Sequence, residues 1–422
     1  MAIAVALLAW VGLVAAGRAI GLDLYEADYL VRIGAPPVVG ILEPHLDPGI
    51  ALGVVLGAAG IAGAPVVAAQ ASWRALLGVA WLAALIWPAA LAIAPGIEML
   101  AEPLTSRYEY LAAVGEVGSP GAFLESFTTV LPEYPTHVKG HPPLLVLVFW
   151  VLEQVGLGGR WPATALILAI AALTAPAALL AVRSLADEAR ARAAAPFLAL
   201  APAAVWIATS ADALFMGVMA SGIALFALAS AREDRRGDAL AAGAGLVLGI
   251  ALFLSYGLAP LGAVVVAIAI VRRRVRPVLI AAGGVAAVFL AFALAGFWWL
   301  DGLDATRVLY EGGVSKRRPY AAFLVINLAA FALALGPATF AGIARLRDRR
   351  LWVLVGAGLV AVAAAEFSGL SRGETERIWL PFTPWLLVAT AALARDGRAP
   401  RIWIALQVVV AITLQTLLVT AW

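Results

Sequence analysis

The chain has 422 residues, of which 64% are hydrophobic and 13% are charged, and its formal net charge is +3. Ordinary soluble domains are roughly 45–50% apolar and about 25% charged, and a water-soluble fold cannot hide so much apolar surface. These numbers exclude a soluble cytosolic protein and a disordered protein. They predict an all-α polytopic membrane protein, because the apolar runs are long enough for helices rather than for barrel strands.

Fourteen apolar runs, separated by charged breaks, are candidate membrane helices. The first, Ile3–Ile20, has neither a basic leader nor an obvious cleavage site, so we expect a retained helix. Three runs are short for the roughly 20 residues that a crossing helix needs. They are Pro142–Leu157, Gly257–Val271 and Trp379–Ala394.

Arginine-rich breaks occur at every second connection, and such breaks should face the cytoplasm. The clearest are 232–236, 272–276, 345–350 and 395–401. The same pattern places connections 21–48, 98–141, 298–320 and 368–378 on the exterior. It also requires an odd number of crossings, so one run does not cross. We expect this run to be Pro142–Leu157, which begins with two prolines and carries Glu153, and about 13 helices then cross the membrane.

The first large exterior loop, 98–141, is the segment richest in chemistry. The helical spacing of Tyr108, Leu111, Ala112 and Gly115, and of Phe123 and Phe127, predicts two short amphipathic helices on the membrane surface, separated by 118–121. Glu109, between Tyr108 and Tyr110, is the carboxylate best placed to act as a general base for a hydroxyl. From spacing alone, Glu109 could equally be a solvated charge on a surface helix.

A cationic, hydrogen-bonding cluster ends this loop. His137, Lys139 and His141 lie within five residues, and such a cluster suits a phosphate group at headgroup level. Two alternatives stay open: a metal site through the two histidines, which Pro142 and Pro143 oppose, and a purely interfacial cluster.

Two further exterior segments carry charges that need an explanation. Arg372 and Arg377 lie between two apolar runs, where they could bind phosphate or pair with Glu374 and Glu376. Lys316 and Arg317 belong to a basic cluster on the side that should be poor in cations, which indicates an anionic headgroup or substrate, or else a solvated loop. Asp212 and Glu366 lie near the ends of apolar runs, where a charged group also needs a partner or a cavity.

No common nucleotide-binding or hydrolase motif occurs in a suitable structural context, and the 422 residues include no cysteine. Thiolate chemistry is therefore excluded, and ATP hydrolysis and the common hydrolase classes lack support. We assign no cofactor and no metal-binding residues, although the acidic loop residues could bind a divalent cation. Arginine supplies 27 of the 29 basic residues, a composition typical of a GC-rich bacterial genome.

One combination of motifs resembles a known family. An exterior loop with an acidic-aromatic element is followed by Gly140-His141-Pro142-Pro143-Leu144, which opens a short apolar run. Later come 156–158 (Gly-Leu-Gly), 210–212 (Ser-Ala-Asp) and 377–385 (Arg-Ile-Trp-Leu-Pro-Phe-Thr-Pro-Trp). Between residues 98 and 385 the chain resembles the GT-C superfamily of integral membrane glycosyltransferases, in particular the polyprenyl-phosphate-sugar-dependent, actinobacterial type.

The resemblance implies a single GT-C-like transmembrane domain over 1–422, in which 1–74 are extra N-terminal helices. It implies inverting transfer of a sugar from a polyprenyl-phosphate donor to an acceptor hydroxyl of a glycan, lipid or protein, on the exterior face of a bacterial plasma membrane. Glu109 would be the catalytic base. The donor phosphate would contact Lys139, His141, Arg372 and Arg377, with Tyr108, Tyr110, His137, Asp212, Lys316 and Arg317 as secondary candidates.

The expected partners are the lipid-linked sugar donor, a glycan or lipid acceptor and membrane lipids, without nucleic acid. In place of the Asp-Glu pair that the family often shows, the chain has Arg107-Tyr108-Glu109-Tyr110, with a single glutamate. Two alternatives to the transferase remain: a transporter or flippase of lipid-linked sugars, and a non-enzymatic subunit of a membrane assembly in cell-wall biogenesis.

Overall fold

The computed structural model describes residues 1–395 and 400–420, and it shows an all-α polytopic membrane protein. Nine helical segments in these ranges are long and apolar enough to cross a membrane. The helices are α1 Ala2–Ala27, α2 Ile50–Gln70, α3 Trp73–Ala92, α4 Pro120–Val130, α5 Thr136–Lys139, α6 Leu144–Gln154, α7 Arg160–Ala172, α8 Thr174–Leu185, α9 Glu188–Ala199, α10 Ala211–Ala229, α11 Arg235–Leu254, α12 Gly262–Arg272, α13 Val275–Leu294, α14 Trp299–Gly312, α15 Tyr320–Arg345, α16 Arg349–Phe367, α17 Thr375–Ile378, α18 Thr383–Leu387 and α19 Arg401–Leu417.

Short 3-10 helices and one small sheet complete the fold. The strands β1 (Ile41–Leu42) and β2 (Leu418–Val419) pair antiparallel, with Ile41 opposite Val419. The 3-10 helices are Tyr29–Val31, Ile97–Leu100, Glu102–Thr105, Tyr110–Glu116, Leu131–Glu133, Pro202–Trp206, Tyr256–Leu261, Val314–Arg317, Leu380–Phe382 and Val388–Leu393.

The arginine-rich connections up to residue 350 meet at one end of the helical bundle, which we call the arginine end, while residues 396–399 of the predicted break 395–401 lie outside the described residues. Arg192 donates to the carbonyls of Ala68 and Ala71, at 2.7 and 2.9 Å. Arg272 donates to the carbonyl of Ser184 at 2.5 Å. Ion pairs join further connections there: Arg190 with Asp348, Arg274 with Glu233 and Arg276 with Asp238. The alternation of basic breaks along the sequence therefore corresponds to a real gathering in space.

The connections predicted to be exterior meet at the opposite end, which we call the site end. The backbone N–H of Val39 donates to Glu376 at 3.1 Å, and Arg317 pairs with Asp28 at 3.0 Å. The hydroxyl of Thr306 donates to the carbonyl of Lys139 at 2.9 Å. These contacts join the connections near residues 28–49, 97–143, 298–320 and 368–378 into one polar layer.

Helix α6 enters the bundle and does not cross it. Its 11 residues span about 16 Å at 1.5 Å per residue, whereas the hydrocarbon core is about 30 Å thick. Just before α6, the His141 ring lies 5.7 Å from the Tyr110 ring. Just after it, Arg160 binds Glu98 and Glu102 at 2.6 and 2.7 Å. Both ends of α6 lie at the site end, as expected for a run that does not cross. The depth of its insertion and the count of about 13 crossings stay predictions.

The other two short runs have different structures. Run Gly257–Val271 forms a 3-10 turn followed by α12. Run Trp379–Ala394 is not one helix but three short helical pieces, which are the 3-10 helix Leu380–Phe382, α18 and the 3-10 helix Val388–Leu393. Pro381 and Pro384 each lack an amide hydrogen and open a new helical piece, so the backbone hydrogen bonding restarts there.

The helices of loop 98–141 differ in detail from the prediction. The first is a 3-10 helix, Tyr110–Glu116, whose buried side chains are Tyr110, Ala113 and Val114, while Tyr108 is exposed. The i, i+3 spacing of a 3-10 helix places these residues on one side, so the predicted face through Tyr108 and Leu111 was wrong. The second helix, α4, begins at Pro120, and Ser119 accepts a hydrogen bond from Ala122, as an N-cap does. The predicted separator 118–121 therefore ends inside α4.

Candidate active site at the site end

Glu109 is a buried carboxylate with a histidine partner. It ends a turn before the 3-10 helix Tyr110–Glu116, and 6% of its surface is exposed. Its Oε1 lies 2.7 Å from Nδ1 of His137. The backbone N–H of His137 donates to the carbonyl of Tyr108 at 3.0 Å, which fixes the histidine beside the glutamate. The solvated surface charge that the sequence left open does not describe Glu109.

The ionisation of Glu109 is set by opposing effects. Burial disfavours the charged carboxylate, but the hydrogen bond and charge of His137, the charge of Arg377 and the Tyr110 N–H together outweigh burial and hold the pKa of Glu109 below its usual value. Oε2 is buried and accepts no side-chain hydrogen bond. Glu109 is therefore an ionised acceptor with one oxygen available to a hydroxyl group.

Tyr110 and His141 form the apolar floor beside this pair. The Tyr110 ring lies 5.7 Å from His141 and 6.4 Å from Phe215, both edge-on. Nδ1 of His141 lies 2.8 Å from the carbonyl of His137, an arrangement in which Nδ1 carries the proton. Burial lowers the pKa of His141, so this histidine is a neutral hydrogen-bonding group and not a cation at neutral pH.

A buried ion-pair network lies close to Glu109, with Arg377 at its centre. Arg377 lies 2.5 Å from Oδ2 of Asp212 and 2.9 Å from Oε2 of Glu374. Asp212 lies in the first turn of α10, where Ser210 accepts a hydrogen bond from the Asp212 N–H at 3.2 Å. Of the alternatives for Arg377, the structure shows ion pairing, with Asp212 as a partner from 165 positions earlier in the chain.

Glu374 and Glu376 behave differently although they are neighbours. Burial raises the pKa of Glu376 to about 8, and the charge of Glu374 adds to this effect. Glu376 is therefore mostly protonated at neutral pH. Burial also opposes ionisation of Glu374, but Arg377, Arg318 and His137 hold its pKa below the usual value. Glu374 thus connects the His137 pair, Arg377 and a second group of arginines.

That second group is a pair of arginines without a carboxylate partner. Arg318 is 4% exposed and donates to the carbonyls of Val31 and Arg372. Arg372 donates to the carbonyls of Ser315 and Arg318, at 3.0 and 3.1 Å. Neither guanidinium forms an ion pair within residues 1–395 and 400–420, and Nε of Arg372 and the Tyr310 hydroxyl are buried without hydrogen bonds.

Arg318 is buried and Arg372 is half-buried, and Glu374 is near enough to interact with Arg318 through its charge without forming an ion pair. Because no carboxylate contacts either guanidinium directly in the described residues, this arginine pair can receive an anion. The sequence placed Arg372 among the candidates but omitted Arg318. The available signal was the basic cluster 316–318, where the residue before Pro319 turns inward.

The remaining candidates lie on the rim. Tyr108 is 45% exposed, and its hydroxyl accepts a hydrogen bond from Arg107 at 2.7 Å. Lys139 is half-buried, and Lys316 and Arg317 are exposed. The structure thus brings Glu109, Tyr110, His137, His141, Asp212 and Arg377 together, and places Arg372 with Arg318 beside them.

Within the part of the chain that the structure describes, no three histidine or acidic side chains are arranged to hold a metal ion. The carboxylates nearest the site already have partners: Glu109 has His137, and Asp212 and Glu374 share Arg377. The divalent cation that the acidic loop left open gains no ligand set from this geometry.

No protein-family model and no curated protein matches the sequence. Among solved structures, the chain is similar to the crystal structure of the Archaeoglobus fulgidus oligosaccharyltransferase in complex with zinc and sulfate. The two share 15% sequence identity and superpose with a TM-score of 0.48, over 81% of this chain and 53% of that chain. The present chain therefore spans about half the length of the structure that it matches.

Proposed function

We propose that the chain is a membrane glycosyltransferase that moves a sugar from a polyprenyl-phosphate donor to an acceptor hydroxyl. The observation that carries the proposal is a buried, ionised Glu109 in the same polar layer as Arg318 and Arg372, which form no ion pair in the described residues. Displacement at an anomeric carbon needs both parts: a base for the attacking hydroxyl, and fixed positive charge for the departing phosphate.

The reaction follows from the positions of these groups. Oε2 of Glu109 takes the proton of the acceptor hydroxyl, and that oxygen attacks the anomeric carbon. The bond from this carbon to the phosphate oxygen breaks, and its electron pair leaves with the lipid phosphate. A single displacement inverts the anomeric configuration. His137 orients Glu109, and Arg318 and Arg372 stabilise the charge that develops on the phosphate.

The other candidates take supporting roles. Arg377 has two carboxylate partners, so we assign it to hold Asp212 and Glu374 and give the main phosphate contact to Arg372 with Arg318. Lys139 and His141 lie closer to Glu109, where they can contact the sugar or the phosphate. The polyprenyl tail would lie along the apolar helices. The acceptor would be a glycan or lipid of the cell wall, at the exterior face of a bacterial plasma membrane.

The test is single-turnover transfer in membranes, with radiolabelled polyprenyl-phosphate sugars and a cell-wall acceptor extract. Glu109→Gln should lose about 100-fold or more of the wild-type rate, because a positioned base typically contributes 10²–10⁴-fold. Glu116→Gln is the matched control, since Glu116 is an exposed carboxylate of the same loop, and it should retain the wild-type rate. Equal transfer by wild type and Glu109→Gln would remove Glu109 as the base.

The same membranes separate the other two functions. Movement of a labelled lipid-linked sugar across the bilayer, without release of lipid phosphate, would support a transporter or flippase. Full function in cells of a Glu109→Gln, Arg372→Gln double variant would support a non-enzymatic assembly subunit.

A further inference from the structure

A groove opens at the arginine end, far from the candidate active site. Its volume is about 400 Å³, and it lies between the last turns of α10 and the first turns of α11. It is lined by Leu225, Arg232, Arg236, Ala239, Leu240 and Gly243. A Cβ atom added to Gly243 would meet nothing within 4 Å, so the groove is open along that helix face.

The charges around the groove do not balance. Segments 232–238 and 272–276 contain seven arginines and three carboxylates. Each carboxylate is paired with an arginine: Glu233 with Arg274 at 2.7 Å, Asp234 with Arg232 at 2.5 Å and Asp238 with Arg276 at 2.6 Å. In the described chain, Arg236 forms no ion pair, and it is the unpaired arginine that lines the groove. An anion at the groove mouth would therefore meet a cation that no protein group neutralises.

The groove reaches from the arginines into the apolar part of both helices. Leu225 lies four residues inside the end of α10, which is about 6 Å along the axis. Gly243 lies eight residues inside the start of α11, about 12 Å along the axis. The groove thus runs from the level of the arginines, where headgroups lie, to the level of the first acyl carbons.

We propose that this groove binds an anionic diacyl phospholipid. The headgroup phosphate contacts Arg236, with Arg232 beside it, and one acyl chain lies along Leu225, Leu240 and the open face of Gly243. Basic residues at the membrane surface attract anionic lipids, and the apolar wall distinguishes a lipid from a free anion. The site is separate from the proposed transferase and does not depend on it.

The experiment is a lipid titration of the full-length protein in mild detergent, followed by native mass spectrometry. Dioleoyl-phosphatidylglycerol should bind more tightly than dioleoyl-phosphatidylcholine. Arg236→Gln should weaken phosphatidylglycerol binding about fivefold, the effect of one surface cation. Arg235→Gln is the matched control, because Arg235 is an exposed neighbour outside the groove, and it should change binding little.

A second pair of variants tests the groove itself. Gly243→Leu fills the open space and should weaken lipid binding at least as much as Arg236→Gln. Gly283→Leu is its control, since Gly283 also faces open space but lies on α13, outside the groove. Equal phosphatidylglycerol binding by wild type, Arg236→Gln and Gly243→Leu would overturn the proposal. Displacement of the lipid by inorganic phosphate alone would overturn the assignment to a diacyl lipid.

Discussion

Single residues at the site end depend on partners far away in the sequence. Glu109 shows this most clearly, because burial alone would favour its neutral form. The hydrogen bond and charge of His137 are the largest of the effects that reverse this preference, together with the charge of Arg377 and the Tyr110 N–H. A carboxylate that acts as a base must be ionised, so activity should fall as the pH drops through the pKa of Glu109. His137 therefore sets the low-pH limit of the proposed reaction.

Replacing His137 should move that limit. In His137→Ala, the largest effects that oppose the burial of Glu109 are lost, so its pKa rises and the acidic limb of the kcat/KM profile shifts to higher pH. His137→Gln restores a hydrogen-bond donor without charge and should shift the limb less. The measurement is the pH dependence of sugar transfer for the three proteins. An unchanged acidic limb in His137→Ala would show that His137 does not control Glu109.

At the level of elements, one buried amide organises the connection that carries the cations. Asn327, on α15, donates to the carbonyl of Ser371 at 2.7 Å and accepts from the N–H of Gly373 at 2.9 Å. Its own carbonyl accepts from the Thr375 hydroxyl at 2.9 Å. Three hydrogen bonds to one residue thus fix the backbone on both sides of Arg372 and Glu374.

Asn327→Leu should disturb the site by releasing this connection. Buried groups left without partners cost about 1–3 kcal/mol each, so the melting temperature should fall and the KM for the lipid-linked donor should rise. Gln407→Leu is the matched control, because Gln407 is a buried amide that bonds the α15 backbone at Leu335 and Ala338, at the kink of Gly336. It should lower the melting temperature without raising the donor KM. A rise in the donor KM in both variants would indicate that Asn327 stabilises the fold in general and does not position the site in particular.

The sequence predicts a structural element correctly where a property of one short segment determines it. Apolar length and basic breaks predict the helices and the two ends, because burial in lipid and charge at its surface are properties of short segments. Contacts between distant segments have no such local signal: Asp212 meets Arg377, and Arg318 meets Val31 across 287 positions. The sequence therefore indicated that Glu109 and Arg377 are special, and it offered Glu374 as a partner of Arg377. It identified neither His137 as the partner of Glu109 nor Asp212 as the second partner of Arg377.

For the whole molecule, the half-inserted α6 decides which ends of later helices share a side of the membrane. If α6 crossed, every helix after it would be inverted, and the contacts of Arg160 with Glu98 and Glu102 could not form. The alternation of arginine-rich connections after residue 160 would then oppose that before it. Because α6 does not cross, the arginine-rich connections before and after it lie at the same end of the bundle. Segments from both halves of the chain can then form the site at the opposite end.

Cysteine labelling tests this arrangement, and the chain is suited to it because it contains no cysteine of its own. Single cysteines at Gly115, Leu157 and Ala231 occupy exposed positions in the loop before α6, just after α6 and at the arginine end. In intact spheroplasts, a membrane-impermeant maleimide should label Gly115→Cys and Leu157→Cys, and it should label Ala231→Cys only after permeabilisation. Labelling of Gly115→Cys together with Ala231→Cys, but not of Leu157→Cys, would show that α6 crosses. Labelling of Ala231→Cys alone in intact spheroplasts would agree with a half-inserted α6 but would show that the site faces the cytoplasm. An exterior cell-wall acceptor could not reach a site on that side.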